Sequence, residues 1–326
     1  MVETDAINLA ERVRAGDRRG LSKAITLVES TKPEDHNARN HLVDLILPDT
    51  GDAIRIGISG LPGVGKSTFI ENLGTILCDS GKKVAVLSID PTSAVNGGSI
   101  LGDKTRMQTL ASHPGAFIRP SPSGSNHGGV GHRTRESVLL CEAAGYDVVF
   151  VETVGVGQIE FAAADMVDLF VLLLLPSAGD ELQGIKRGIL ERADMLIINK
   201  ADGVLQETAT QTVLEYRSAF QLLRKTSNDD KHDASTVCAI SSLNSLDVEN
   251  TWKVLSNIWD GYCKSGRLDS IRKSQRAQWV RDELYAHLMD RLHEEIESNA
   301  NFRAMHEGVT NGKLSPGSAI KSLLGS

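Results

Sequence analysis

Apolar and polar positions change rhythm twice along the chain. Residues 6 to 47 carry helical spacing punctuated at Gly16, Asp17 and Pro33, and His41, Leu42, Leu45 and Ile46 lead into a Pro48-Asp49-Thr50-Gly51 turn. The chain therefore opens with a small helical extension. From Ile54 the pattern shifts to short β-rich runs: Ile54 to Ser59, Val84 to Ile89, Ala116 to Ile118, Val148 to Val151, Leu169 to Leu175, Met195 to Ile198 and Thr236 to Ile240. Most are apolar at every residue instead of alternating, as expected of strands covered on both faces, and helical stretches separate several of them. The prediction is an α/β domain with a mainly parallel central sheet.

After Gly266 the helical rhythm returns. Val280, Leu284, Leu288, Leu292 and Ile296 recur every fourth residue, with Tyr285 and Met289 widening the stripe, so a long helix presents one apolar face. Such a face packs on its own domain or on a second subunit, and periodicity does not distinguish the two. Ser315-Pro316 reads as an N-cap and first-turn pair opening a short final helix through Ile320, Leu323 and Leu324. The predicted organisation is a helical extension over 1–50, the α/β domain over 51–265 and a helical arm over 266–326.

Composition narrows the class of partner. At 326 residues, with 40% apolar and 24% charged positions, the chain can bury a full core. A net charge of −7, from 35 basic against 42 acidic residues, gives no electrostatic reason to bind nucleic acid or a membrane. The four cysteines (Cys78, Cys141, Cys238 and Cys263) are widely spaced without a CxxC pair, which suggests neither a disulfide framework nor a zinc knuckle and fits a reducing compartment. The longest apolar run, Leu169 to Leu175, falls far short of the ~20 residues that cross a bilayer. The opening residues, with Glu3 and Asp5, resemble neither a signal core nor an acid-poor transit peptide. The expected compartment is cytoplasmic, or the mitochondrial matrix for a eukaryotic chain written without its presequence.

The first β-run leads directly into Gly60-Leu61-Pro62-Gly63-Val64-Gly65-Lys66-Ser67, followed by a helical run from Thr68 to Leu77. This is the G-x-x-x-x-G-K-[ST] loop in its strand-loop-helix setting. Glycines let successive N–H groups converge on a β-phosphate, the helix N-terminus adds partial positive charge, and Lys66 neutralises β and γ oxygens. Ser67 is the expected hydroxyl ligand of Mg²⁺. Acidic residues that hold the metal and its water are expected at strand ends, and two strands end so: Val84 to Ile89 at Asp90-Pro91, and Val148 to Val151 at Glu152-Thr153-Val154-Gly155. The second has the form of the D-x-x-G element of GTPases with Glu for Asp, although a lone strand-end carboxylate is otherwise a helix cap.

Met195 to Ile198 ends in Asn199-Lys200-Ala201-Asp202, the N-K-x-D pattern. Its carboxylate accepts from guanine N1–H and the N2 amine together, a donor pair adenine lacks; Lys200 covers the ring and Asn199 ties the loop to the P-loop. Ser241-Ser242-Leu243 follows the last β-run, where backbone N–H groups meet guanine O6 in this class. The expected ligands are GTP or GDP with Mg²⁺.

With these motifs, the chain resembles the methylmalonyl-CoA mutase-associated GTPases of MeaB, ArgK and MMAA type. The likeness is carried by Asp90-Pro91-Thr92-Ser93, residues Gly97 to Met107, Cys141 to Asp147, Glu152 to Gln158, and Gly179 to Lys186, and it extends over nearly the whole chain. The resemblance implies a P-loop NTPase fold flanked by the helical extension and a dimerisation arm. It further implies a homodimeric GTPase that binds an adenosylcobalamin-dependent acyl-CoA mutase, with methylmalonyl-CoA mutase foremost. Hydrolysis there gates cofactor delivery from a cobalamin adenosyltransferase and protects or rescues the mutase. By the same resemblance Ser67, Asp90, Asp103 and Glu152 surround Mg²⁺, residues 92–107 form switch I, 153–163 switch II, and 177–188 a third switch with Asp180, Gln183 and Lys186 in its characteristic places. Ile159 departs from the small polar residue usual there, and Ser242 from the alanine of Ser-Ala-Leu.

Phosphoryl transfer asks for charge stabilisation and a positioned water more than for covalent chemistry. Gln158 is a candidate to orient that water, though an exposed switch residue is equally expected at its place, and Lys186 or Arg187 is a candidate cation. His127 and His132 in the Gly-rich stretch Ser123 to Arg133 invite a metal site, but a solvated loop is the better reading. Two alternatives remain open at this level: a kinase of a transport system, against which N-K-x-D argues if the donor is ATP, and a metal-insertion GTPase.

Overall fold

The runs that are apolar at every position form one sheet. The computed structural model describes residues 3–90, 107–122, 129–153, 159–176, 187–226 and 236–324. Strands β1 (Ile54–Gly60), β2 (Val84–Asp90), β3 (Ala116–Pro122), β4 (Val148–Thr153), β5 (Leu169–Leu174), β6 (Met195–Ile198) and β7 (Val237–Ala239) lie in the order β3-β2-β4-β1-β5-β6-β7. Every pair is parallel. All residues of β4, β5 and β6 are buried, which is why those segments read as continuous apolar runs. β3 runs on to Pro122, past the expected stop at Ile118. Among the described residues it is an edge strand paired with β2, and an edge tolerates prolines that lack a donor.

Thirteen α-helices occur among the described residues: α1 (Glu3–Arg14), α2 (Arg18–Glu29), α3 (His36–Ile46), α4 (Lys66–Asp79), α5 (Gln108–Ser112), α6 (Gly129–Ala143), α7 (Ile159–Ala164), α8 (Arg187–Leu190), α9 (Gln206–Thr226), α10 (Ser245–Lys264), α11 (Arg267–Ser298), α12 (Ala300–Thr310) and α13 (Pro316–Leu324). Against one sheet face pack Phe69, Ile70, Leu73 and Leu77 of α4, Leu110 of α5, and Val248 and Leu255 of α10. α6 is tied to β2 and β4, and the helices of the extension pack on α6. Asp17 opens α2 by accepting from Arg19 N at 2.9 Å, the start that Gly16-Asp17 announces. The first compact unit, Met1–Gln275, includes the N-terminal helices; Arg276–Ser326 form a second unit. Within that second unit Ser315 Oγ accepts from Ser318 N at 3.2 Å, capping α13 with Pro316 as its first residue.

The ends of the strands away from the glycine loop are bracketed by buried carboxylates. Asp168 accepts from Arg55 N at 2.9 Å and from Arg272 Nε and Nη2 at 2.8 and 2.7 Å. Glu142 takes both nitrogens of the Arg55 fork at 2.7 and 2.8 Å, and Asp194 accepts from Phe170 N at 2.7 Å and Tyr262 Oη at 2.6 Å. These bonds pin α6, α10 and the start of α11 to the sheet, leaving the opposite end free for chemistry. All four cysteines are free thiols, and burial pushes Cys238 up to about 12.

Candidate active site

The loop between β1 and α4 is shaped by close approaches that only glycine permits. Gly60, Gly63 and Gly65 have φ of +146°, +79° and +99°. A Cβ at Gly60 would run into the Leu173 carbonyl of β5, and one at Gly65 into Asn199 Nδ2. α4 begins at Lys66, so its N-terminal amides and positive dipole end open onto the loop. Lys66 is buried, and its Nζ donates to Gly60 O at 2.8 Å and Leu61 O at 3.1 Å. A cation and converging amides thus share one small cradle, an arrangement suited to a polyphosphate.

Strand order brings the acidic side to the same place. β4 lies between β1 and β2, so Glu152 at its end reaches both neighbours. Glu152 is buried; Oε1 accepts from Ser67 Oγ at 2.8 Å and Oε2 from Ser88 Oγ at 3.2 Å. Beside it Thr153 Oγ1 donates to Ser59 Oγ at 2.9 Å. A hydroxyl and a carboxylate held together are the hard oxygen donors that Mg²⁺ selects, so Ser67 and Glu152 fit that ion. Asp90 ends β2, but its side chain, together with Asp103, Gln158 and Lys186, lies outside the described residues. So do residues 92–106, 154–158 and 177–186 of the three switch segments, Asp180 and Gln183 among them, the Ile159 and Arg187 side chains, and His127 with the His132 side chain.

The Asn199-Lys200-Ala201-Asp202 and Ser241-Ser242-Leu243 loops are bound to the glycine loop through the Asn199 side chain. Asn199, at the end of β6, is buried; its Nδ2 donates to Val64 O at 2.7 Å, and its Oδ1 accepts from Ser242 N at 3.0 Å and Ser242 Oγ at 2.7 Å. Lys200 is exposed and, among the described residues, is the non-glycine residue with positive φ, at +59°. Asp202 is exposed, and its Oδ2 accepts from Ser241 Oγ. Ala201 N donates to Ile240 O at 3.0 Å, joining the two loops, while Asp247 of α10 takes Ser241 N at 2.9 Å. Leu243 is exposed at the rim.

Pro62 lies in the turn of the glycine loop, and Thr68 in the first turn of α4. The sequence reading passed over Ser59, Ser88, Asn72 and Asp247. Ser59 and Ser88 carried a signal: each is a hydroxyl buried within an otherwise apolar strand. Asn72 and Asp247 sit on helices among other polar residues and carried none.

Residues 21–297 match the family model described as methylmalonyl Co-A mutase-associated GTPase MeaB. The chain is 42% identical over 314 residues to GTPase ArgK of Escherichia coli, covering 96% of this chain and 93% of that protein. It is 41% identical over 319 residues to the methylmalonic aciduria type A homolog, mitochondrial, of Mus musculus, covering 95% of this chain and 76% of that one. A crystal structure described as a LAO/AO transport system kinase superposes with a TM-score of 0.76 at 36% identity, covering 99% of this chain and 97% of that chain.

Proposed function

Since the chain belongs to the methylmalonyl-CoA mutase-associated GTPase family, we propose that it is a GTP-hydrolysing chaperone of an adenosylcobalamin-dependent acyl-CoA mutase, with methylmalonyl-CoA mutase as the partner. The observation that carries the nucleotide half of this reading is Asn199, which holds the Val64 carbonyl of the P-loop and the Ser242 loop in one buried cluster. On this reading the phosphate and guanine determinants lie on neighbouring loops at the carboxyl ends of the strands, the general location of ligands in open α/β sheets.

In this reading Lys66 and the amides of residues 63–68 neutralise charge growing on the β and γ oxygens during transfer to water. Ser67 and Glu152, with Asp90 and Asp103 completing the set, would hold Mg²⁺, which would supply further charge neutralisation there. Asp202 selects guanine, Lys200 covers its ring, and Gln158 orients the attacking water. The kinase alternative is met in part by the description of the superposing structure as a transport system kinase, whereas the GTPase reading agrees with the family model and with the relatives named GTPases.

The partner half rests on the family. Coupling to the mutase runs through residues 177–188, with Lys186 as the cation that completes the site when the mutase is bound, and a cobalamin adenosyltransferase supplies the cofactor whose transfer is gated. The apolar stripe of α11 supports a homodimer: Val280, Leu284, Leu288 and Leu292 are 69%, 56%, 49% and 46% exposed, more apolar surface than an isolated helix face leaves in water without cause. Among the described residues no helix is long and apolar enough to cross a membrane. The expected compartment is the cytoplasm, or the mitochondrial matrix in a eukaryote.

Lys186→Ala tests the coupling. It is expected to leave GTP affinity within about twofold of wild type and to abolish mutase-stimulated hydrolysis, a loss of about 10³-fold for a cation delivered to the transferring phosphate. Equilibrium binding of a fluorescent GTP analogue and phosphate release with the mutase read the two quantities. Stimulation retained in the variant removes Lys186 from the mechanism.

A further inference from the structure

Asn72 lies on α4 beyond the P-loop and belongs to neither nucleotide motif. Its Nδ2 donates to the carbonyl oxygen of Ser242. Ser242 is therefore held on both sides: its N–H and Oγ meet Asn199 Oδ1 at 3.0 and 2.7 Å, and its carbonyl meets Asn72. The bonds close a ring, from α4 through Asn72 to Ser242, through Asn199 to Val64 O at 2.7 Å, and back into α4. The hydroxyl of Ser242, where the family resemblance leads one to expect alanine, adds one of these bonds.

The peptide group is planar and trans, so the Ser242 carbonyl and the Leu243 N–H point in opposite directions. Fixing that carbonyl on α4 fixes the direction of the Leu243 N–H, which is aimed away from the helix. The Ser242 N–H is already taken by Asn199, whereas the Leu243 N–H has only a long contact with Ser241 Oγ at 3.4 Å. The Leu243 amide is thus the donor of this loop that is free to meet an acceptor on a base.

We propose that Asn72 is a positioning residue for guanine specificity: by holding the Ser242 carbonyl it aims the Leu243 N–H at guanine O6. The proposal rests on the guanine-nucleotide reading above. Hydrogen bonds weaken steeply once the donor turns away from its acceptor, so a loop released from α4 loses discrimination at C6 before it loses the phosphate contacts. Asp202 addresses the other edge of the base and is not bonded to Asn72; its Oδ2 accepts from Ser241 Oγ.

The test compares binding of three diphosphates to the full chain and its variants. GDP carries O6, N1–H and the N2 amine; 6-thioguanosine diphosphate replaces only O6 by a poor acceptor; inosine diphosphate lacks only the N2 amine. Wild type is expected to prefer GDP over the 6-thio analogue by about tenfold, the worth of one net hydrogen bond. Asn72→Ala is expected to reduce that ratio to about twofold, leave the GDP-to-inosine-diphosphate ratio unchanged, and melt close to wild type because Asn72 is only half-buried and alanine suits a helix. Asn72→Gln, which keeps the carboxamide, is expected to restore part of the preference and serves as the readable variant if the alanine form is poorly folded. An unchanged 6-thio ratio in Asn72→Ala, or a uniform loss for all three ligands, overturns the proposal. A wild-type protein that binds ADP as tightly as GDP overturns the guanine reading beneath it, which is a separate failure.

Discussion

Lys66→Ala is expected to slow GTP hydrolysis by about a hundred- to a thousandfold, the loss typical of removing one preorganised donor from developing negative charge. The side chain is buried in the loop with its ammonium on the carbonyls of Gly60 and Leu61, at 2.8 and 3.1 Å. The ammonium is therefore already in place before nucleotide arrives, and it needs only to exchange carbonyl partners for phosphate oxygens. No other basic side chain lies in the loop between Gly60 and Ser67 to replace it. Single-turnover phosphate release at saturating GTP, with thermal melts of both proteins, separates this effect from unfolding. A variant within tenfold of wild type would show that charge at the β and γ oxygens is met elsewhere.

The second large effect concerns stability and lies at the other end of the sheet. Arg272→Ala is expected to cost about 3–5 kcal/mol, because it strands a buried carboxylate. The Arg272 and Asp168 side chains are 8% and 0% exposed, and Arg272 also donates to the Gly51 and Ala53 carbonyls. Burial by itself lowers the guanidinium pKa, but the hydrogen bond and charge of Asp168 outweigh it and the net shift is upward, so the arginine stays charged. At about 2–4 °C per kcal/mol for a unit of this size, the melting midpoint is expected to fall by about 10 °C. Adding Asp168→Asn removes the stranded charge while keeping an acceptor for Arg55 N, so the double variant is expected to recover part of the loss. By contrast the Arg192–Asp165 pair, with side chains 51% and 38% exposed, is screened by solvent, and Arg192→Ala is expected to change stability by less than about 1 kcal/mol. Calorimetric or circular-dichroism melts check all three, and a drop below about 3 °C in Arg272→Ala contradicts the assignment of Asp168 as a dependent partner.

These two residues mark where the sequence was readable and where it was not. Lys66 announced itself because its motif is contiguous and its setting, a strand before and a helix after, is local. The strands were legible for a similar reason: burial on both faces leaves continuous apolar runs such as Leu169–Leu174, whose pattern needs no partner to interpret. Asp168 and Arg272 are far apart along the chain, and each alone looks like an ordinary surface charge beside a helix or strand. Only the fold, which brings the start of α11 beneath β1 and β5, reveals them as a pair. Asn72 is similar, since an asparagine on a helix between Glu71 and Leu73 gives no hint that its amide meets a loop 170 positions away. Ends of elements were less certain than their existence. β7 proved shorter than its apolar run, and α12 was not foreseen, because its start depends on a local cap: Asn299 accepts from Asn301 N and Phe302 N at 2.8 and 3.2 Å.

The most direct test of the account is phosphate release from the purified chain with Mg²⁺ and either GTP or ATP, with and without an adenosylcobalamin-dependent methylmalonyl-CoA mutase. The account predicts release to water that is selective for GTP and faster with the mutase present. Preference for ATP, transfer of the phosphate to an acceptor, or a GTP rate that the mutase leaves unchanged would contradict it.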